Sequence, residues 1–324
     1  MLEYDAFIRS IKQNKNVSHA VLLGAGASIS SQIQSAADCI WEWKRDIYSS
    51  NNPNTTLIVS NFRSEAVRRS IQAWLDAQGE YPLMGSSDEY SFYAEKAYPI
   101  EADRQKYFEQ LAYNKAPYIG YKLLCMLNNA GIVKSVWTTN FDGLTERAAH
   151  QMNITPICIT LDDPERIFRN ENSHELLYIA LHGDYKYSKL KNTNQELDTQ
   201  NNIFKDALKR YFVDKNLIVM GYSGRDKSLM NALKEAFSQP GSGRLYWCGF
   251  GDDICSEVKD LIDIARVNNR IAYFISTDGF DKTILQLSRA CFEDDIVKQE
   301  EIKKLIKSTI KKDETKTSFR IESP

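Results

Sequence analysis

Short apolar runs, each ending in small or polar residues, set the pattern of the chain. They begin at His19 (HAVLLGAGAS), Val133 (VKSVWTTN), Ile154 (ITPICIT), Leu176 (LLYIALHG), Lys215 (KNLIVMGYS), Arg244 (RLYWCGFG) and Arg270 (RIAYFIST). Each is strand-length, continuously apolar rather than alternating, and rich in β-branched or aromatic residues. That is how strands buried on both faces of a parallel sheet read. Helical patterns lie between several of them, starting at Asp142 (DGLTERAAHQM), Asp226 (DKSLMNALKEAF) and Glu257 (EVKDLIDIARV). The alternation predicts an α/β fold, a Rossmann-like, mostly parallel sheet with helices on both faces.

From about residue 36 to residue 129 the rhythm changes. Only TTLIVS, beginning at Thr55, reads as a candidate strand there. The remainder reads as helices (AADCIWEWKRDIY, SEAVRRSIQAWLDAQ, DRQKYFEQLAYNKA, IGYKLLCMLNNA), with Pro53, Pro82, Pro99 and Pro117 as boundaries. This span is expected to be a helical insertion module after the first strand, covering part of a ligand site. Residues 1–292 form the expected main domain. Residues 293–324 read as a charged helix and a polar tail or linker, a candidate connection to a further module.

Composition narrows the function classes. A formal charge of −2 over 324 residues argues against a nucleic-acid or anionic-membrane binder, which more often carries a basic excess. Cys39, Cys125, Cys158, Cys248, Cys255 and Cys291 are scattered with no C-x-x-C pair, so neither a zinc ribbon nor a disulfide framework is expected. Cys158, Cys248 and Cys291 sit among apolar neighbours and read as small buried hydrophobes. The charged N-terminus lacks the apolar block of a signal peptide, and no apolar run approaches the ~20 residues that span a bilayer. A cytoplasmic protein with reduced thiols is expected.

Four motifs carry the candidate chemistry. Gly24-Ala25-Gly26-Ala27-Ser28 follows the first strand, where glycines let backbone approach a pyrophosphate. The third glycine of a dinucleotide fingerprint would fall at Ile29, and no acidic residue closes a second strand about 20 residues on, which disfavours a nicotinamide dehydrogenase. Thr138-Thr139-Asn140-Phe141-Asp142 ends the next strong strand; Asn140 can donate and accept, and Asp142 either joins a site or caps the following helix. Leu181-His182-Gly183-Asp184 places an imidazole, a natural proton acceptor near neutral pH, at another strand end. His19, His150 and His174 have ordinary structural explanations. Gly221-Tyr222-Ser223-Gly224-Arg225-Asp226 offers close backbone approach, with Ser223 and Arg225 able to reach a ribose or phosphate and Asp226 suited to an N-cap.

The order G-A-G-A-S, T-T-N-F-D, L-H-G and G-Y-S-G-R-D resembles the sirtuin superfamily, over about His19 to Phe292. It is most similar to the divergent bacterial sirtuin-like domains of anti-phage defence systems, effectors that deplete NAD+. The resemblance implies that Gly24, Ala25, Gly26 and Ser28 line the diphosphate and ribose site, and that Asn140 and Asp142 lie by the nicotinamide ribose. It implies His182 as catalytic base, and Gly221 and Ser223 as contacts on the adenosine side. Two departures stand out. The four-cysteine zinc module of protein-deacylating sirtuins is missing, and Ser31-Gln32-Ile33-Gln34 stands where they carry S-G-I-P.

The expected activity is therefore hydrolysis of the nicotinamide–ribose bond of NAD+, which is a substrate, with no metal. Asn140 would position water or ribose hydroxyls, and His182 would accept a proton. The alternatives are a catalytically silent NAD+ or ADP-ribose sensor and a protein deacylase. Because an NAD+-destroying enzyme is toxic if always on, a homo-oligomer and a regulatory partner or fused sensor module are expected.

Overall fold

In the computed structural model of the chain, the residues described are 1–55, 61, 63–86, 88–160, 164–169, 174–181 and 201–318. Seven strands make one sheet: β1 (His19–Leu23), β2 (Val133–Thr138), β3 (Thr155–Thr160), β4 (Glu175–Ala180), β5 (Asn216–Met220), β6 (Leu245–Phe250) and β7 (Ala272–Thr277). Their order is β3-β4-β2-β1-β5-β6-β7, and every neighbouring pair is parallel. The Rossmann-like reading of the apolar runs is thus correct. All residues of β1 and β5 are buried, because helices cover both faces.

Alternation along each strand divides the core. Val21, Leu23, Ile218 and Met220 face one layer, with α1 (Tyr4–Gln13), α6 (Ile119–Asn129), α7 (Leu144–Gln151) and α11 (Phe280–Cys291) supplying its buried residues. Ala20, Leu22, Leu217 and Val219 face the other, which α8 (Asn201–Tyr211), α9 (Lys227–Phe237) and α10 (Ser256–Val267) complete. The last helix, α12 (Ile296–Ser318), does not stand free in solvent: Ile302 is 1% exposed within the first layer, and Leu305 and Ile306 pack against it.

Between β1 and β2 the described residues form helices and 3₁₀ turns. The helices α2 (Ala36–Asn51), α3 (Glu65–Gln78), α4 (Glu89–Ala97) and α5 (Glu101–Ala112) build their own aromatic cluster around Trp43, whereas α6 lies on the sheet. Residues 56–60, the bulk of the candidate strand TTLIVS, lie outside the described residues. At the heart of the cluster Lys44 is fully buried. It donates to Gln72 Oε1 at 2.7 Å, pairs with the Glu89 carboxylate, and sits over the Trp41 ring (4.7 Å) and the Tyr93 ring (5.0 Å).

Strand register prepares the site. Ala180, Thr138, Leu23 and Met220 lie in one row across β4, β2, β1 and β5. The residues that follow therefore leave the sheet side by side at its C-terminal edge. β1 and β5 flank the point where the chain changes direction across the sheet, which is where ligands of open α/β sheets bind. Of the three cysteines read as buried, Cys248 and Cys291 are, while Cys158 is half-buried. Among the described residues, no helix is long and apolar enough to cross a membrane.

Candidate active site

The loops after β1 and β5 pack directly on one another. Gly26 N donates to Gly221 O (2.8 Å), Gly24 N to Met220 O (3.1 Å) and Ala27 N to Gly24 O (3.0 Å). A Cβ on Gly24 would stand 2.5 Å from Gly221 O, and one on Gly221, whose φ is +65°, would stand 2.3 Å from Ala27 N. These glycines answer first to the contact between the two loops, and the N–H groups of Gly24 and Gly26 are spent there rather than turned outward. After Gly24 the chain enters a 3₁₀ helix, Ala25–Ser31, and ends it at Gln32 with φ 63° and ψ 30°. A glutamine thus holds the left-handed conformation that glycine favours.

Asn140 reaches back from the end of β2 into this junction. Its Nδ2 donates to Gly24 O at 3.0 Å and to Ser28 Oγ at 3.0 Å. A carbonyl oxygen can only accept, so the amide orientation is fixed by chemistry, with both N–H groups committed. Asn140 Oδ1 has no partner among the described residues. Ser28 is buried and donates to Asp142 Oδ2. The other carboxylate oxygen, Oδ1, accepts from Leu144 N at 2.9 Å. Asp142 therefore satisfies the first backbone N–H of α7, although Gly143 and not Asp142 is its N-cap, and its other carboxylate oxygen meets Ser28. Arg147 holds it from behind, donating to Asp142 O and, at 3.1 Å, to Ala112 O.

Around this junction lies a cavity of about 620 Å³, within the roughly 300–1,000 Å³ usual for small-molecule and cofactor sites. One wall holds the sequence-predicted Ala25, Gly26, Ser28, Asn140 and Asp142, together with Gly221, Ser223 and Arg225. Gly24 stands behind that wall, its carbonyl taken by Asn140. The opposite wall comes from the aromatic helices, through Ile40, Tyr90, Phe108 and Leu111. Phe141 joins the walls, its ring 4.8 Å from that of Phe108. Lys227, beside the exposed Arg225, meets Asp88 of the helical wall at 3.4 Å. Asp226 is the N-cap of α9, accepting from Ser228 N and Leu229 N at 2.9 and 3.1 Å. His182, Gly183 and Asp184 lie outside the described residues.

Sequence reasoning missed the support beneath Ser28. Tyr121 of α6 places its hydroxyl 2.8 Å from Ser28 Oγ, and burial pushes that phenol well above its ordinary pKa. Asp281 accepts from Gly120 N at 2.8 Å and from Ser30; burial raises its pKa, and these hydrogen bonds partly oppose the rise. The useful signal was the Ser28-x-x-Ser31 spacing, set against Tyr118-x-x-Tyr121, but nothing local joins them.

Residues 134–269 match the family model described as a SIR2-like domain. Over that span, less than half of the chain, the sequence is similar to SIR2-like domains. The matched span covers β2 to β6 and so contains Asn140, His182 and the Gly221–Arg225 turn, while the Gly24–Ser28 motif and the helical wall lie outside it. Among solved structures, the chain is similar to the structure of Sir2Tm bound to a propionylated peptide, with 14% identity and a TM-score of 0.39, covering 89% of this chain and 98% of that one. At that level no residue role passes from Sir2Tm to this chain. No curated protein matches the chain. Among the described residues, no group of three or more His, Cys, Asp or Glu side chains is placed to hold a metal ion.

Proposed function

We propose that this SIR2-like domain hydrolyses NAD+ at the nicotinamide–ribose bond, releasing nicotinamide and ADP-ribose, as an NAD+-depleting effector in anti-phage defence. The observation that carries the reading is the state of Asn140. With both amide protons spent on Gly24 O and Ser28 Oγ, Oδ1 is the remaining hydrogen-bonding atom of a side chain that lines the cavity. An acceptor suits a ligand that brings O–H groups, either a water or the ribose hydroxyls. It also presents partial negative charge where positive charge develops on the ribose carbon. The Asp142 carboxylate, held by Ser28 and Leu144 N, adds to that field.

His182, two residues beyond Ala180 in the chain, is the proposed base. Water adds its oxygen to the ribose carbon as the bond to nicotinamide breaks, and the imidazole takes the water's proton, an effect worth roughly 10²–10⁴-fold. Ala25, Gly26 and Ser28 are assigned to the diphosphate and ribose, Ser28 as part of the wall because its hydroxyl is already committed to Asp142 and Asn140, and Gly221, Ser223 and Arg225 to the adenosine half. A homo-oligomer, or a partner that reshapes the turn at Gln32, is the proposed means of control. The zinc-free sequence disfavours deacylation, which an acyl-lysine peptide assay tests directly.

Incubating the purified chain with NAD+ and identifying products by chromatography tests the proposal. Nicotinamide and ADP-ribose in equal amounts are expected. Tight NAD+ binding without turnover, in the presence of the native partner, would instead make the domain a sensor.

A further inference from the structure

Ser28 is held by a hydroxyl that the proposed reaction does not use. Tyr121 is 1% exposed, and its oxygen stands 2.8 Å from Ser28 Oγ. Counting fixes the direction of that bond. A serine hydroxyl has one proton and two lone pairs. The Ser28 proton goes to Asp142 Oδ2, and one lone pair takes Asn140 Nδ2. Tyr121 must therefore donate to the remaining lone pair, and Ser28 has no hydrogen-bonding capacity left. With its rotor and both lone pairs committed, this hydroxyl admits a single arrangement of Asn140 and Asp142.

The tyrosine is itself anchored. Tyr118 N donates to Ser31 Oγ at 3.0 Å, one turn before Tyr121 meets Ser28. Residues three apart eclipse on a 3₁₀ helix and are neighbours on an α-helix, so the two pairs hold α6 and the Ala25–Ser31 segment in register. Gly120, between them, donates to Asp281 Oδ1; a Cβ there would lie 2.6 Å from that oxygen, so α6 comes this near only with glycine. The Tyr121 ring rests edge-on against Phe280, with centroids 5.1 Å apart.

We infer that Tyr121 is a positioning residue for NAD+ cleavage: by donating to Ser28, its hydroxyl fixes the Asn140 amide with Oδ1 left for the ligand. The inference rests on the reading of this cavity as the NAD+ site, and its test separates the two. Tyr121→Phe removes one oxygen and keeps the ring packing. With wild-type turnover as reference, kcat is expected to fall about 10- to 100-fold, the scale of a misplaced reacting group, with KM little changed. In a Ser28→Ala background the same substitution should cost almost nothing further, because its effect runs through Ser28.

A second readout needs no turnover. With selective ¹⁵N-asparagine labelling, the Asn140 side-chain amide protons should exchange slowly in the wild type and faster in Tyr121→Phe. Full kcat together with unchanged exchange in Tyr121→Phe overturns the inference, as does an undiminished loss in the Ser28→Ala background. If the wild type cleaves no NAD+, the functional reading fails, and the exchange measurement alone still decides whether Tyr121 positions Asn140.

Discussion

Replacing Gly221 by alanine tests the loop junction on which the site is built. The residue has φ +65°, and its new Cβ would stand 2.3 Å from Ala27 N and 2.8 Å from Gly26 C. Both are backbone atoms, so no side chain can swing away. Two costs add. The left-handed conformation costs a non-glycine residue about 1–2 kcal/mol. Forcing extra volume into a filled contact costs about 1–3 kcal/mol. The sum is about 2–5 kcal/mol. Gly79 is the control: it closes α3 with φ +72°, and nothing lies within 4 Å of an added Cβ. Gly79→Ala bears the conformational cost alone. Chemical denaturation of both variants should therefore show Gly221→Ala less stable than Gly79→Ala by about 1–3 kcal/mol. NAD+ affinity, measured by calorimetry, should fall in Gly221→Ala only, since Asn140 is held by the Gly24 carbonyl of the displaced loop. Equal destabilisation of the two variants would refute the claim that the loops are in backbone contact.

Two further outcomes follow from buried titratable groups. His19 is fully buried, and burial holds its pKa below the ordinary value. Asn216 Oδ1 accepts from Arg244 N at 2.9 Å, so its Nδ2 must donate to His19 Nε2, at 3.3 Å, which keeps that nitrogen an acceptor. Below a pH of about 6.5 the unfolded chain takes up a proton that the folded chain refuses, so this group lowers stability as pH falls, by at most about 1.4 kcal/mol per pH unit until the folded pKa is reached. Melting curves of the wild type and His19→Gln should converge toward low pH; parallel pH dependence would contradict this. In the helical wall, Lys44→Met strands the Glu89 carboxylate, and denaturation should show a loss of about 3–5 kcal/mol, much of it recovered in a Lys44→Met/Glu89→Leu double variant.

The sheet was legible because strands covered on both faces need continuous apolar runs, and each of the seven runs from His19 to Arg270 that set the pattern of the chain forms a strand. The helices α2, α3, α5 and α6 were legible from their periodicity and prolines. α4 was not: Tyr90, Phe92, Tyr93 and Ala94 turn apolar surface to several sides of an aromatic cluster, which erases any single stripe. α11 was passed over although Phe280, Ile284, Leu287 and Cys291 carry a clear helical spacing into the core. Asn140, Ser28 and Asp142 could be named from strand-end motifs. Their mutual hydrogen bonds could not, because register alone brings residues 112 and 114 positions apart together. Tyr121 was invisible for the same reason, as its value lies in a contact across 93 positions. The glycines were read for a ligand, and the structure shows them serving the packing of two loops as well.

The most direct measurement follows NAD+ with the wild type, Asn140→Ala and His182→Ala, each first shown to be folded by its melting curve. The account predicts stoichiometric nicotinamide and ADP-ribose from the wild type. It also predicts a loss of about 10²-fold or more in each variant, the scale set by general-base catalysis and by a lost electrostatic partner. Undiminished turnover in both variants would contradict it.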